Sequence, residues 1–164
     1  MTLYGALVLI HVVAIVVFAV AHIISAVSMF QVRLTSDRAR LQAILKRSAA
    51  ALTIATIAIL IGFVAGLVLA FMGSWWGSLW IWVSLVLLIV VGGAMTPLAA
   101  IPMNVLRNAL GVKAGRQKAG EPDPVPQDDA AVAGARAALK PELVAAIGVA
   151  GFVAITWLMQ AKPF

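Results

Sequence analysis

Cysteine is absent from this chain of 164 residues, and charged residues make up only 11% of it. The missing thiols exclude a disulfide framework, thiolate catalysis, and zinc or iron–sulfur sites built on cysteine. Soluble domains carry about 25% charged residues. The scarcity of charge, together with 63% hydrophobic residues, therefore excludes an ordinary soluble enzyme, a disordered tail and a nucleic-acid-binding module.

Recognisable catalytic motifs are missing as well. The chain contains no G-x-S-x-G, P-loop or H-E-x-x-H motif. We therefore predict a non-enzymatic protein without catalytic residues. Its net charge of +6 needs no nucleic-acid partner, because the basic residues lie in two segments beside apolar runs, where an anionic membrane surface attracts them.

Charge is missing altogether from residues 1–32 and from residues 48–106. A membrane-spanning helix needs about 20 apolar residues, because each residue rises 1.5 Å across a hydrocarbon layer of about 30 Å. The first tract holds one span, the second holds two, and the C-terminal region supplies a fourth. Unbroken apolar runs favour helices over barrel strands. We predict an all-α, up-down-up-down four-helix bundle, a single membrane domain with spans at about 3–30, 49–72, 79–101 and 143–160.

The basic residues indicate the orientation of the bundle. Five of the 12 Lys and Arg residues follow the first span, six follow the third, and Lys162 is the remaining one. Positively charged short loops stay in the cytoplasm. Segments 31–48 and 102–142 are therefore predicted to be cytoplasmic, with both termini outside a bacterial plasma membrane. Aromatic residues of the kind that favours interfaces lie near the predicted outer surface, namely Trp75, Trp76, Trp80, Trp82, Trp157 and Tyr4.

Proline and acidic residues predict local structure between the spans. Residues 111–130 are rich in Gly, Pro and charge, which predicts a flexible linker. Ser36-Asp37 predicts the start of a short basic helix, and Asp128 with Asp129 predicts the cap of another helix that runs to Lys140. In the third span, Pro97 predicts a kink; packing is its favoured explanation and a hinge is the alternative.

Small residues recur at helical spacing in two spans. Gly62 and Gly66 form a G-x-x-x-G motif in the second span. Ala146, Ala150 and Ala154 form a stripe in the fourth. Because lipid gives no hydrophobic drive for helix association, close approach along small faces must supply the contacts. We predict packing seams within one chain, with homodimerisation through the glycines as the alternative.

His11 and His22 are the two titratable side chains of the predicted membrane interior. The two rings, 11 residues apart on one helix, point within about 20° of one direction and lie roughly 16.5 Å apart along the axis. The structural interpretation is a neutral imidazole that donates to a hydroxyl or carbonyl of a neighbouring helix. The functional interpretation is a cofactor site, because ionisable residues inside a bilayer are candidates for function.

Two cofactors suit these side chains. Haem b needs two axial ligands, and copper(I) accepts imidazole and thioether donors. Because no second helix carries a histidine, bis-His haem ligation would require a dimer. Methionine could complete either site, with Met95 opposite His22, and Met72 or Met159 opposite His11.

Short motifs over nearly the whole chain resemble a known family. They are Leu9-Ile-His11-Val-Val, the basic first loop, the Trp/Gly turn and the terminal Trp157-Leu-Met-Gln-Ala-Lys-Pro163. The chain is similar to bacterial predicted integral membrane proteins of unknown function with a Leu-Met-x-x-Lys-Pro ending. The resemblance implies four helices, a distant similarity to the membrane domain of copper-resistance D proteins, and a match of His11 to the family histidine. The Trp-hydrophobic-Gly-Gly that often follows that histidine is replaced here by Val17-Phe-Ala-Val20.

The sequence thus predicts a small multi-pass plasma-membrane protein with a structural or interaction role. One alternative is the handling of copper or haem b through His11 and His22. A second alternative is a subunit of an oligomeric transporter, because four helices without an internal charge would need further copies to enclose a polar path. The predicted partners are the lipid bilayer and either a second copy of the chain or another membrane protein.

Overall fold

The computed structural model describes residues 2–113, 122 and 124–163, and these residues form helices and connecting turns without any strand. Four helical runs are long and apolar enough to cross a membrane, which confirms the prediction of an all-helical protein with four membrane-length helices. The centre of the predicted linker, residues 114–121 and 123, lies outside the described residues. The helices are α1 (Leu3–Leu34), α2 (Arg38–Met72), α3 (Leu79–Met95), α4 (Ile101–Ala109), α5 (Asp129–Ala137) and α6 (Pro141–Ala161), with a 3₁₀-helix at Trp75–Gly77 and a π-helix at Thr96–Ala100.

The start of α2 lies where the sequence places a helix cap. The Asp37 carboxylate accepts a hydrogen bond from the backbone N–H of Arg40 at 2.7 Å, which satisfies a free donor of the first turn. The short basic helix expected here is not separate, however, because α2 continues without a break to Met72. Neither Gly nor Pro occurs between Asp37 and Gly62, so nothing in this stretch ends the helix.

One end of the bundle holds most of the buried apolar side chains. This end, which we call the basic end, is formed by the last turns of α1, the first turns of α2, and α4, α5 and the start of α6. Two ion pairs tie its elements together, Arg33–Glu142 at 2.8 Å and Arg38–Asp129 at 3.2 Å. The basic-end core consists of Met29, Val32, Leu41, Ile44, Leu45, Met103, Leu106, Ala109, Leu110, Val112, Val132, Ala135, Leu139 and Val144.

The apolar remainder of the bundle is only sparsely buried by the protein itself. Of the most apolar stretch of each membrane-length run, between 11% and 33% of the residues are buried. The helices pack mainly as two pairs, with α1 along α2 and α3 along α6. Large side chains such as Ile57, Ile89 and Val153 are more than half exposed. Lipid is the solvent that would cover such a surface.

A smaller cluster closes the other end, which we call the tryptophan end. Trp80 and Ile81 of α3 are buried there against Ala70 and Leu158. Lys162 follows α6 in a left-handed conformation, with φ of 44°. Its ammonium lies 4.2 Å from the centroid of the nearest ring of Trp75, a cation–π geometry. The tail of α6 is thereby attached to the turn between α2 and α3.

The third membrane-length run is not a uniform α-helix. Regular α-helical hydrogen bonding stops at Met95 and resumes at Ile101, and the five residues between them form the π-helix. Pro97 lies inside this segment and has no N–H to donate, so it cannot sustain the regular i to i−4 pattern. Pro97 therefore lies in a π-helix, and the kink expected there stays a prediction.

Candidate functional site

His11 joins α1 to α2 through a hydrogen bond to the backbone. Its Nδ1 lies 2.7 Å from the carbonyl oxygen of Gly62. Because a carbonyl can only accept, Nδ1 carries the proton of this hydrogen bond. A Cβ added at Gly66 would lie 3.0 Å from His11 Cε1. The G-x-x-x-G motif therefore provides both the acceptor and the space for the imidazole.

His22 faces a different helix. A Cβ added at Gly148 of α6 would lie 3.3 Å from His22 Nε2 and 3.7 Å from Met95 Cε. The His22 ring also stacks on Phe18, with centroids 5.4 Å apart. The His22 ring and the Met95 methyl group therefore both lie beside Gly148.

Met72 and Met159, the methionines predicted opposite His11, are partly exposed, and nearby hydroxyls bond within their own helices. Met72 lies six residues beyond Gly66, about 9 Å along α2, and its side chain is 46% exposed. Met159 is 37% exposed. The hydroxyls of Thr53, Thr56 and Ser84 donate to carbonyls of their own helices. In the part of the chain that the structure describes, no group of three His, Asp or Glu side chains is placed to hold a metal ion.

The two small-residue stripes behave differently. On α2, Gly62 faces α1, where an added Cβ would lie 3.1 Å from Ile15 Cδ1. On α6, Ala146 and Ala150 are exposed and Ala154 is half-buried, and the alanine seam stays a prediction. The close approach to α3 is made at Gly151, where an added Cβ would lie 2.6 Å from Val91 Cγ2. Glycine lets the helices come nearer than alanine does, because it has no Cβ.

Arg107 forms a polar cluster that the sequence analysis missed. Its side chain is 1% exposed. Nη1 donates to Asn104 Oδ1 at 2.7 Å, and Nη2 donates to Ser48 Oγ at 3.1 Å. Ser48 is fully buried, and its Oγ lies 3.3 Å from the Oγ of Ser25. These four residues, which we call the Arg107 cluster, come from α1, α2 and α4.

The positive charge of Arg107 has only neutral partners among the described residues. Its Nε is buried and makes no hydrogen bond. An arginine cannot shed its proton in a protein, so the charge remains. All four described carboxylates are engaged elsewhere, Asp37 and Asp128 as helix caps, Asp129 with Arg38, and Glu142 with Arg33.

A local signal could have revealed this burial. Arg107 lies four residues after Met103 and three before Leu110, positions that share one face of a helix. Both of those side chains belong to the basic-end core. Counting Arg107 with the loop arginines hid this pattern, because the charge rule uses the number of basic residues and not the direction of each side chain.

Comparison with protein families places the chain in a known family. The family model described as "Predicted integral membrane protein (DUF2269)" matches residues 5–163, which is nearly the whole chain. No curated protein and no solved structure matches the chain. The expected similarity to the membrane domain of copper-resistance D proteins stays a prediction.

Proposed function

The chain belongs to the DUF2269 family of predicted integral membrane proteins, and we propose that it is a non-enzymatic structural or interaction protein of the plasma membrane. The observation that carries this proposal is the 2.7 Å contact between His11 Nδ1 and the Gly62 carbonyl. This hydrogen bond joins α1 to α2 through a histidine that lies in the predicted membrane interior. Hydrogen bonds between membrane helices contribute to stability without any need for a ligand.

The packing of His22 supports the same role. Its ring lies between Phe18 on its own helix and Gly148 on α6. His11 thus connects α1 to α2, while His22 contacts the second helix pair. Each glycine opposite a ring supplies the room that the imidazole needs, so the histidines and glycines act as complementary parts of the helix contacts.

We expect His11→Ala to lower the free energy of unfolding by about 1 kcal/mol, because it removes one interhelical hydrogen bond. The change is measured by reversible unfolding of the purified protein in mixed micelles. Val13→Ala is the control, since Val13 is 52% exposed on the same helix. An unchanged stability, combined with loss of a haem absorption band or of bound metal, would contradict the structural role.

A second candidate function is copper handling at His22 and Met95. The observation that favours it is that the His22 Nε2 and the Met95 methyl group both lie beside Gly148. Imidazole and thioether are donors that copper(I) accepts. Elemental analysis of the same preparations separates the candidates. One copper per chain that is retained in His11→Ala and lost in His22→Ala would favour this function.

The proposed arrangement in the membrane is up-down-up-down, with both termini and the Trp75–Gly77 turn outside. Its support is the concentration of basic residues at one end and of tryptophan at the other. Because the chain has no cysteine, a single introduced thiol can be labelled without background. We expect Ser74→Cys to react with an impermeant maleimide in intact cells and Arg40→Cys to react only after the membrane is opened. The opposite pattern would overturn the arrangement.

A further inference from the structure

The Arg107 cluster lies where the apolar part of the chain gives way to the charged part. Ser48 follows the last basic residue of the first basic segment, and Arg107 is the next charged residue along the sequence. Ser48 and Arg107 thus mark the two ends of the charge-free residues 48–106, and the second and third membrane-length helices bring these two ends together. In a spanning protein such limits lie near the lipid headgroups, which is the level of phosphate groups.

The positive charge of the cluster has no counterion among the described residues. A buried cation without a counterion is strongly unfavourable, and buried charges are ordinarily paired. Here the described partners of the guanidinium are an amide oxygen and a hydroxyl, and the Nε donor is without a partner. What would complete the cluster is an anion with several acceptor oxygens.

We propose that the Arg107 cluster is a binding site for a phosphate oxyanion. A phosphate group accepts hydrogen bonds from the planar guanidinium fork in a bidentate manner. One of the Ser25 and Ser48 hydroxyls can donate to a further oxygen, while the other donates across the hydrogen bond between the two serines. The oxyanion has two sources, the headgroup of an anionic phospholipid or soluble phosphate.

Titration of the full-length protein in detergent with phosphatidylglycerol, followed by native mass spectrometry, tests the site. We expect Arg107→Met to weaken the apparent affinity at least about tenfold, the effect of losing charge-assisted hydrogen bonds. Arg40→Met is the matched control, because Arg40 is exposed at the same end; its affinity is expected to stay within about threefold of the wild type. If Arg107→Met does not fold, Arg107→Lys takes its place, because lysine keeps the positive charge but lacks the planar guanidinium.

Thermal unfolding in nanodiscs distinguishes the two sources. If phosphatidylglycerol raises the unfolding midpoint of the wild type above that in phosphatidylcholine, and Arg107→Met abolishes the difference, the source is a lipid. If inorganic phosphate raises the midpoint of the wild type in nanodiscs of pure phosphatidylcholine, and Arg107→Met abolishes that rise, the source is soluble phosphate. If Arg107→Met leaves the affinity for phosphatidylglycerol unchanged and neither addition stabilises the wild type through Arg107, the proposal is overturned.

Discussion

Leu45→Ala is expected to lower the free energy of unfolding by about 2–5 kcal/mol, the range for removing a leucine side chain from a packed core. Leu45 has no exposed surface and belongs to the basic-end core. Its truncation loses contacts with neighbouring core side chains and leaves a cavity, because the surrounding helices can relax only in part. The loss is measured by reversible unfolding in mixed micelles.

The control for Leu45 is another leucine on the same helix. Leu60 is 58% exposed and lies in the sparsely buried part of α2. We expect Leu60→Ala to change the free energy of unfolding by about 0.5 kcal/mol or less, as for substitutions outside a core. Equal losses in the free energy of unfolding at the two positions would show that the basic-end core contributes no more to stability than the exposed part of α2.

Gly151→Ala is expected to destabilise the protein by about 1–3 kcal/mol through overpacking. The new methyl group would lie 2.6 Å from Val91 Cγ2 and 3.0 Å from its Cγ1, closer than carbon atoms can approach. Val91 is branched at Cβ, so its methyl groups cannot turn away easily. Either the Val91 side chain must shift or the helices α3 and α6 must separate. The measurement is the unfolding midpoint in the same micelles.

Gly93→Ala provides the matched control for this substitution. It makes the same chemical change in α3, at a position where an added Cβ meets no atom within 4 Å. Its expected effect is neutral or stabilising by up to about 1 kcal/mol, since alanine favours the helix. Val91→Ala in the Gly151→Ala background is expected to restore much of the loss. A Gly151→Ala protein as stable as Gly93→Ala would contradict the close seam.

The two charge-free tracts and the apolar C-terminal region were sufficient to predict four membrane-length helices, because the cost of burying charge in lipid is large and leaves a clear record in sequence. The caps at Asp37 and Asp128 were likewise predictable, since their hydrogen bonds are local. The continuity of α2 was harder to predict. A charged stretch next to an apolar one looks like two elements, although the backbone of α2 has no residue that separates them.

Contacts between helices could not be read from the spacing of residues along one helix. Helical spacing predicts that the His11 and His22 rings point in nearly the same direction, yet one contacts α2 and the other faces α6. Their different depths expose them to different neighbours. Likewise, the stripe containing Ala146 was predicted from size alone, whereas the face of α6 turned toward α3 contains Gly151. Which small face is used depends on the shape of the partner helix.

The engagement of every described carboxylate in a cap or an ion pair has an electrostatic consequence. Acidic groups whose charge is locally compensated do little to offset the exposed cations around them, such as Arg40, Lys46 and Lys140. The basic end thus presents a potential of one sign to its surroundings. Mobile ions screen such a potential over about 8 Å at physiological ionic strength, so it acts only on a negatively charged surface that is almost in contact with it.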